Sequence, residues 1–307
     1  MWYCLGMSQT PRQTEVIEAQ FAGIDIWSDG QILDALLAGQ ERAIAAVRRA
    51  EPAIAQAAEG IAQRLKAGGK LYYAGAGTSI RVGVQDGTEL PATFGIDESQ
   101  LGYLIAGGEQ AIFDTLADKE DSVEDGRADA GVCTSKDALI AIAASGRTPY
   151  TIAAATEAKS HGCSVIAVVN VPHTALGKIA DVEIVLHTGA EVIAGSTRMG
   201  AGTAQKAALN LLSTLLGIKL HAVHDGMMVS MRPENIKLKE RAAQIVAQIA
   251  SVKLETAHGA LTQAGAIKPA ILLCAGASSL AQAKALLAGT EGNLRLALDQ
   301  LNYRQRQ

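Results

Sequence analysis

Aromatic residues make up only 4% of the 307-residue chain, so its core cannot rest on large rings. Alanine is abundant instead, which favours helices packed closely on a sheet. The four cysteines, Cys4, Cys133, Cys163 and Cys274, are widely spaced and form no CxxC pair. Zinc spacing is therefore absent, and a disulfide framework is not expected in a chain this long. They read as reduced thiols of a cytoplasmic protein. No apolar run reaches the ~18 residues of a membrane span. Met1–Gln9 lacks a basic n-region and is too short for a signal peptide, and Met7 stands as an alternative start. No basic block accompanies the net charge of −4, which argues against a nucleic-acid partner. The six histidines show no HExxH or triad arrangement.

What remains is a chain that is 49% apolar, enough for a sizeable core. Residues 1–67 read as an N-terminal arm followed by helices. Thr10–Gln20 is polar and irregular. Ser28 or Asp29 is placed to cap a helical region from Gln31 to about Leu65, interrupted at Pro52 and closed by Gly68-Gly69. Ile32, Leu33, Leu36, Leu37, Ile44 and Val47 form its apolar stripe. Residues 68–232 alternate between strand and helix patterns. Strands are predicted at Leu71–Ala74, Gly102–Ala106, Ala138–Ala143, Val165–Val169 and Val182–Leu186. Helices are predicted at Ser79–Leu90, Gln110–Ala117, Val123–Ala130, Pro149–His161 and Met199–Leu220. This predicts the α/β class: a central parallel sheet with helices on both faces, an αβα sandwich. Residues 233–307 carry only short helical segments and read as a small helical domain.

Ligands of such sheets bind beyond the carboxyl ends of the strands, and two glycine turns fall there. The first, GAGTS at 75–79, offers close backbone approach at Gly77 and a helix start at Thr78 and Ser79, a site for phosphate. The second, Ser145-Gly146-Arg147-Thr148, adds two hydroxyls, a permissive glycine and an arginine before Pro149 at the first helical position. No P-loop lysine or magnesium-binding carboxylate cluster accompanies them. That favours a phosphomonoester sugar over a nucleoside triphosphate. Ser196, Thr197 and Arg198 precede a long apolar helix, either as its cap or as a wall of the pocket.

With these motifs in view the chain resembles the sugar isomerase (SIS) domain proteins, and among them the N-acetylmuramic acid 6-phosphate etherases. The resemblance is carried by GAGTS (75–79), Glu89 in DGTELPATFG (86–95), LIAGGEQAI (104–112), KED (119–121), IAASGRTPY (142–150), GAEVIAGSTRMGAGTAQKAALNLLST (189–214) and NIKL (235–238). It implies a SIS-type fold and loss of a D-lactyl ether by elimination and hydration, with no metal and no cofactor. It also implies a phosphorylated amino sugar as partner, sites at a homodimer interface, and acid/base roles for Glu89 and Glu120. Glu89 has separate support: it lies just before Leu90-Pro91, which predicts a helix C-terminus and a raised carboxyl pKa there. Three departures from the family pattern flank the expected pocket. Ile80 replaces a glycine, adding bulk near the phosphate; Val171 replaces an asparagine; Gly200 replaces a lysine. These keep open a sugar-phosphate aldose–ketose isomerase and a non-catalytic sugar-phosphate-binding regulator.

Overall fold

The computed structural model describes residues 15–114 and 117–305. Cys4, Met7 and the first part of the expected arm, Thr10–Thr14, lie outside them. The chain divides into two compact units. One takes the chain up to Gly87 together with Gln100–Leu212; the other takes Thr88–Ser99 with the chain from Ser213 on.

In the first unit, helix α1 (Asp29–Arg49) starts at a capping box. Ser28 Oγ accepts the Gln31 N–H, and Gln31 Oε1 accepts the Ser28 N–H at 3.1 Å. Helix α2 (Glu51–Lys66) begins with Pro52 in its first turn, so the proline divides the helical region by starting its second helix. Five parallel strands follow: β1 (Leu71–Gly75), β2 (Leu101–Ile105), β3 (Ala138–Ile142), β4 (Ser164–Val169) and β5 (Val182–Val185). Their order is β2-β1-β3-β4-β5. Each lies within a residue of its predicted ends, because apolar runs between glycine and polar breaks leave little choice of register. Every residue of β1 and β3 is buried, as a sheet covered on both faces requires.

Helices α4 (Val123–Ala130), α5 (Pro149–Ser160) and α6 (Ala175–Ile179) belong to this unit. Ala154, Ala155 and Ala158 of α5 join Leu139, Ala141, Val165 and Ala167 of the sheet in one buried cluster, which also holds Cys133 and Cys163. Small side chains let the helix approach the strands closely, the use expected of the alanines. Helices α3 (Gly77–Phe94) and α7 (Gly200–Lys219) run on from the first unit into the second. The buried Asp86 carboxylate ties first-unit parts of both to β1. It accepts from Tyr73 Oη at 3.0 Å and from Asn210 Nδ2 at 2.8 Å.

Among the described residues the predicted helix Gln110–Ala117 is not found: one 3₁₀ turn covers Glu109–Ile112 and another covers Ala117–Asp121. Gly107 and Gly108 enter the segment with φ of 85° and 73°, outside the helical range. The carbonyls of Ala111 and Asp114, which a helix would use internally, accept from Arg81 instead.

In the second unit, β6 (Val223–His224) and β7 (Met227–Met228) form an antiparallel hairpin. Helices α8 (Ile236–Ala250), α9 (Leu254–Ala264), α10 (Ile267–Cys274), α11 (Leu280–Gly289) and α12 (Leu294–Gln305) follow. Val246, Ile271, Leu272, Leu286 and Leu294 are in its core. Among the described residues no helix is long and apolar enough to cross a membrane.

Candidate active site

The strand order points to a candidate site. From β1 the chain passes to β2 on one side and then to β3 on the other, so the connection reverses between the adjacent strands β1 and β3. Crevices at such a switch point receive ligands. Both glycine turns leave the sheet there, one from each strand. At the end of β1 a Cβ on Gly75 would stand 2.8 Å from the Ile142 carbonyl oxygen of β3, so only glycine lets the strand ends close up.

Gly77 opens α3 with φ of 53°. The helix thus starts two residues earlier than predicted, and Thr78 and Ser79 lie in its first turn rather than at its cap. First-turn N–H groups have no partner inside a helix and, with the dipole, favour an anion. Ile80 is fully buried, and a Cβ on Gly75 would stand 3.3 Å from the Ile80 Cβ. Its bulk fills the core beneath the turn. The expected crowding of the phosphate position is therefore corrected.

In the second turn Ser145 Oγ accepts the Arg147 N–H at 3.2 Å. Gly146 has φ of 59°, and a Cβ there would stand 2.4 Å from the Thr174 Cβ. Thr148 is the N-cap of α5, and its hydroxyl makes no cap hydrogen bond. Pro149 takes the first helical position as predicted, and the Arg147 side chain is exposed.

A third wall comes from the loop before α7. Its helix cap is not Ser196 or Thr197 but the carboxylate of Glu191, 5% exposed. The two oxygens accept the N–H groups of Gly200 at 2.9 Å and Ala201 at 2.8 Å. A carboxylate can satisfy two orphan donors where a hydroxyl satisfies one. Gly200, in place of the family's lysine, would carry a Cβ 3.1 Å from Glu191 Oε2. A Cβ on Gly202 would lie 3.2 Å from Thr78 Cγ2 and 3.3 Å from the Thr197 carbonyl oxygen, so this loop adjoins the first turn. Arg198 is exposed, while Ser196 and Thr197 are half-buried. Next to the half-buried Val171, Asn170 donates to the carbonyls of Leu186 at 3.1 Å and Ala201 at 3.4 Å. It accepts from Gln205 Nε2 at 2.9 Å.

Glu120 meets the first turn. A Cβ on Gly77 would stand 3.0 Å from Glu120 Oε1. The carboxyl is half-buried, and its pKa is raised by that burial and then by the neighbouring Asp121; the charge of Arg81 opposes the rise. Glu89 lies elsewhere on α3, in the second unit, and is exposed. It is not at a helix end: α3 continues through Pro91 to Phe94. Leu90 and Pro91 are both buried, and that packing outweighs the roughly 3 kcal/mol a proline costs inside a helix. Glu89 therefore does not sit at the negative end of the helix dipole, contrary to the expectation from Pro91.

The structure brings together Gly77, Thr78, Glu120 and Thr197 around one turn, with Ser145, Gly146 and Thr148 leaving the neighbouring strand. Sequence reasoning missed Arg81, Glu191 and Asn170. Arg81 and Glu191 stand inside recognisable motifs but have no spacing that announces a role, and Asn170 shows its use only through its partners.

A SIS domain model matches residues 38–170. N-acetylmuramic acid 6-phosphate etherase of Symbiobacterium thermophilum is 48% identical over 76% of this chain and 79% of its own. The etherase of Clostridioides difficile is 42% identical over 86% of this chain and 88% of its own. That of Deinococcus radiodurans is 37% identical over 94% and 95%. With this identity over most of both lengths, the chain belongs to the N-acetylmuramic acid 6-phosphate etherase family.

Proposed function

We propose that this site cleaves the D-lactyl ether of N-acetylmuramic acid 6-phosphate, giving N-acetylglucosamine 6-phosphate and D-lactate, in cell-wall sugar recycling. The observation that carries the reading is Glu120, a carboxyl held against Gly77 in the first glycine turn, at the switch point of the sheet. The phosphate is received by the N–H groups of Gly77, Thr78 and Ser79 and by the hydroxyls of Thr78, Ser79, Ser145 and Thr148. Gly146 leaves room for it. Arg147 and Arg198 add positive charge, and Ser196 and Thr197 flank the sugar.

Held so, the open sugar has a C2 proton α to its aldehyde. A carboxylate takes that proton, and the electron pair moves to form the C2–C3 double bond as the C3–oxygen bond breaks. A carboxylic acid protonates the leaving lactyl oxygen. Water then adds at C3 and a proton returns to C2, which balances the sequence. Glu120 takes one of these roles, and the family resemblance assigns the other to Glu89. Its raised pKa makes Glu120 a readier proton donor than an ordinary carboxyl.

The working form we propose is a cytoplasmic homodimer. Support comes from the free thiols of Cys133, Cys163 and Cys274, which suit a reducing compartment, and from an exposed apolar stripe on α1.

Incubation of the pure protein with N-acetylmuramic acid 6-phosphate is expected to release D-lactate. In ²H₂O the sugar product is expected to carry deuterium at C2. Glu120→Gln and Glu89→Ala should each lower kcat by about a hundredfold or more, with phosphosugar binding retained in a thermal-shift assay. No release above the Glu89→Ala control would overturn the reading.

A further inference from the structure

Arg81 stands one helical turn after Gly77, so both lie on the same face of α3. Glu120 meets that face at Gly77. The Arg81 guanidinium donates through Nη2 to the carbonyls of Ala111 at 3.0 Å and Asp114 at 3.1 Å. These belong to the segment that leads toward Glu120. Its Nε is buried and has no partner among the described residues. A buried donor without an acceptor is disfavoured. Besides these hydrogen bonds, the positive charge of Arg81 favours the ionised form of the Glu120 carboxyl.

We propose that Arg81 is the positioning residue of Glu120: it ties the Glu109–Asp114 segment to α3 and fixes the electrostatic setting of the Glu120 carboxyl. The inference rests on Glu120 being an acid/base group of the proposed reaction. The other charges near Glu120 do not replace Arg81. Asp121, on the same segment, pushes the opposite way. Lys119 is engaged with Asp125 of α4 at 3.7 Å. Helix α5, which packs on this segment, carries its first charged side chain at Glu157, two turns in; Arg147 before it is exposed.

The sign follows. Arg81 stabilises the ionised carboxylate, so its removal raises the proton affinity of Glu120 further. Any limb of the pH–rate profile that reports Glu120 then moves to higher pH, whether Glu120 acts as acid or as base.

The test titrates Glu120 directly by carbon NMR of the ligand-free protein labelled at its glutamate carboxyls, with Glu120→Gln assigning the resonance. In Arg81→Met the midpoint is expected to rise by about one pH unit. In Arg81→Lys, which keeps the charge, it should move by less than half of that. Arg81→Gln keeps a donor for the two carbonyls and is the second neutral variant if Met does not fold. The matching limb of D-lactate release should shift the same way in the neutral variants, with kcat reduced. An unmoved Glu120 midpoint in a folded neutral variant overturns the proposal, even if turnover falls. If the wild-type protein releases no D-lactate, the etherase reading fails separately, and the titration still decides the part played by Arg81.

Discussion

At the scale of single residues, the site depends on places where a side chain is missing. Gly77 has φ of 53°, and its absent Cβ would stand 3.0 Å from Glu120 Oε1. Alanine there carries two penalties. The left-handed backbone costs about 1–2 kcal/mol, and the new methyl displaces the carboxylate from the turn. A displacement of about 1 Å can cost about a hundredfold in rate. Gly77→Ala is therefore expected to fold with a lowered unfolding midpoint and to lose D-lactate release by about that factor. Gly146→Ala meets Thr174 at 2.4 Å and must move either the turn or α6. It is expected to lower stability more than Gly77→Ala, measured by urea denaturation. Equal and negligible effects would show that neither turn is held as tightly as its contacts require.

At the scale of elements, α7 shows what holds the third wall in place. Glu191 supplies both acceptors for the N–H groups of Gly200 and Ala201, and all three residues are buried. Glu191→Ala leaves two buried donors unpaired, at about 1–3 kcal/mol each. Glu191→Gln keeps one acceptor oxygen and is expected to lose about half as much. Urea midpoints check this order, and an alanine variant as stable as the glutamine one would refute it. The sequence made some elements legible and hid others for physical reasons. The five strands could be read because each is a short apolar run between breaks. The capping box at Ser28 and the proline starts of α2 and α5 could be read because they depend on local chemistry alone. The 109–121 segment could not, since Arg81 from another element takes the carbonyls that would have closed a helix. Pro91 misled for the same reason, because tertiary burial overrode a local rule. The β6–β7 hairpin had a signal that went unused. Asp225-Gly226 separates its strands, and both residues adopt the positive φ, 47° and 77°, that such a two-residue turn requires. Of the candidate site, the glycine turns were legible from local pattern, whereas Glu120 was pointed to only by the family resemblance. The cap at Glu191 and the buried course of Ile80 depend on neighbours far away in the chain.

At the scale of the whole molecule, the α1 stripe changes its meaning. Its periodicity marks an apolar face, yet in one copy of the chain the buried residues of α1 are Ala43, Ala46 and Val47. Leu33, Leu37 and Ile44 are 64%, 59% and 52% exposed. They recur at i, i+4 and i+11, so they form one continuous line on the helix. Beside Ile44 runs a groove of about 550 Å³, lined also by Val47, Ala207 and Leu211, the last 49% exposed. Scattered apolar residues on a surface need no explanation, but a line of them beside an apolar groove marks an interaction face. In a two-fold homodimer, as proposed, this line and groove would meet the same features of a second copy. Burying each such leucine or isoleucine contributes about 1.5–3 kcal/mol. A charge at the centre of the line would have to be desolvated without a partner. Sedimentation equilibrium is therefore expected to give the wild-type protein a mass twice the chain's 31.8 kDa. Leu37→Glu should give the single-chain mass with its fold intact by circular dichroism. If the homodimer supplies the complete site, that variant should also lose D-lactate release, and raising the protein concentration should restore part of it. A wild-type protein that sediments as one chain at micromolar concentration and still turns over would remove the dimer from the mechanism.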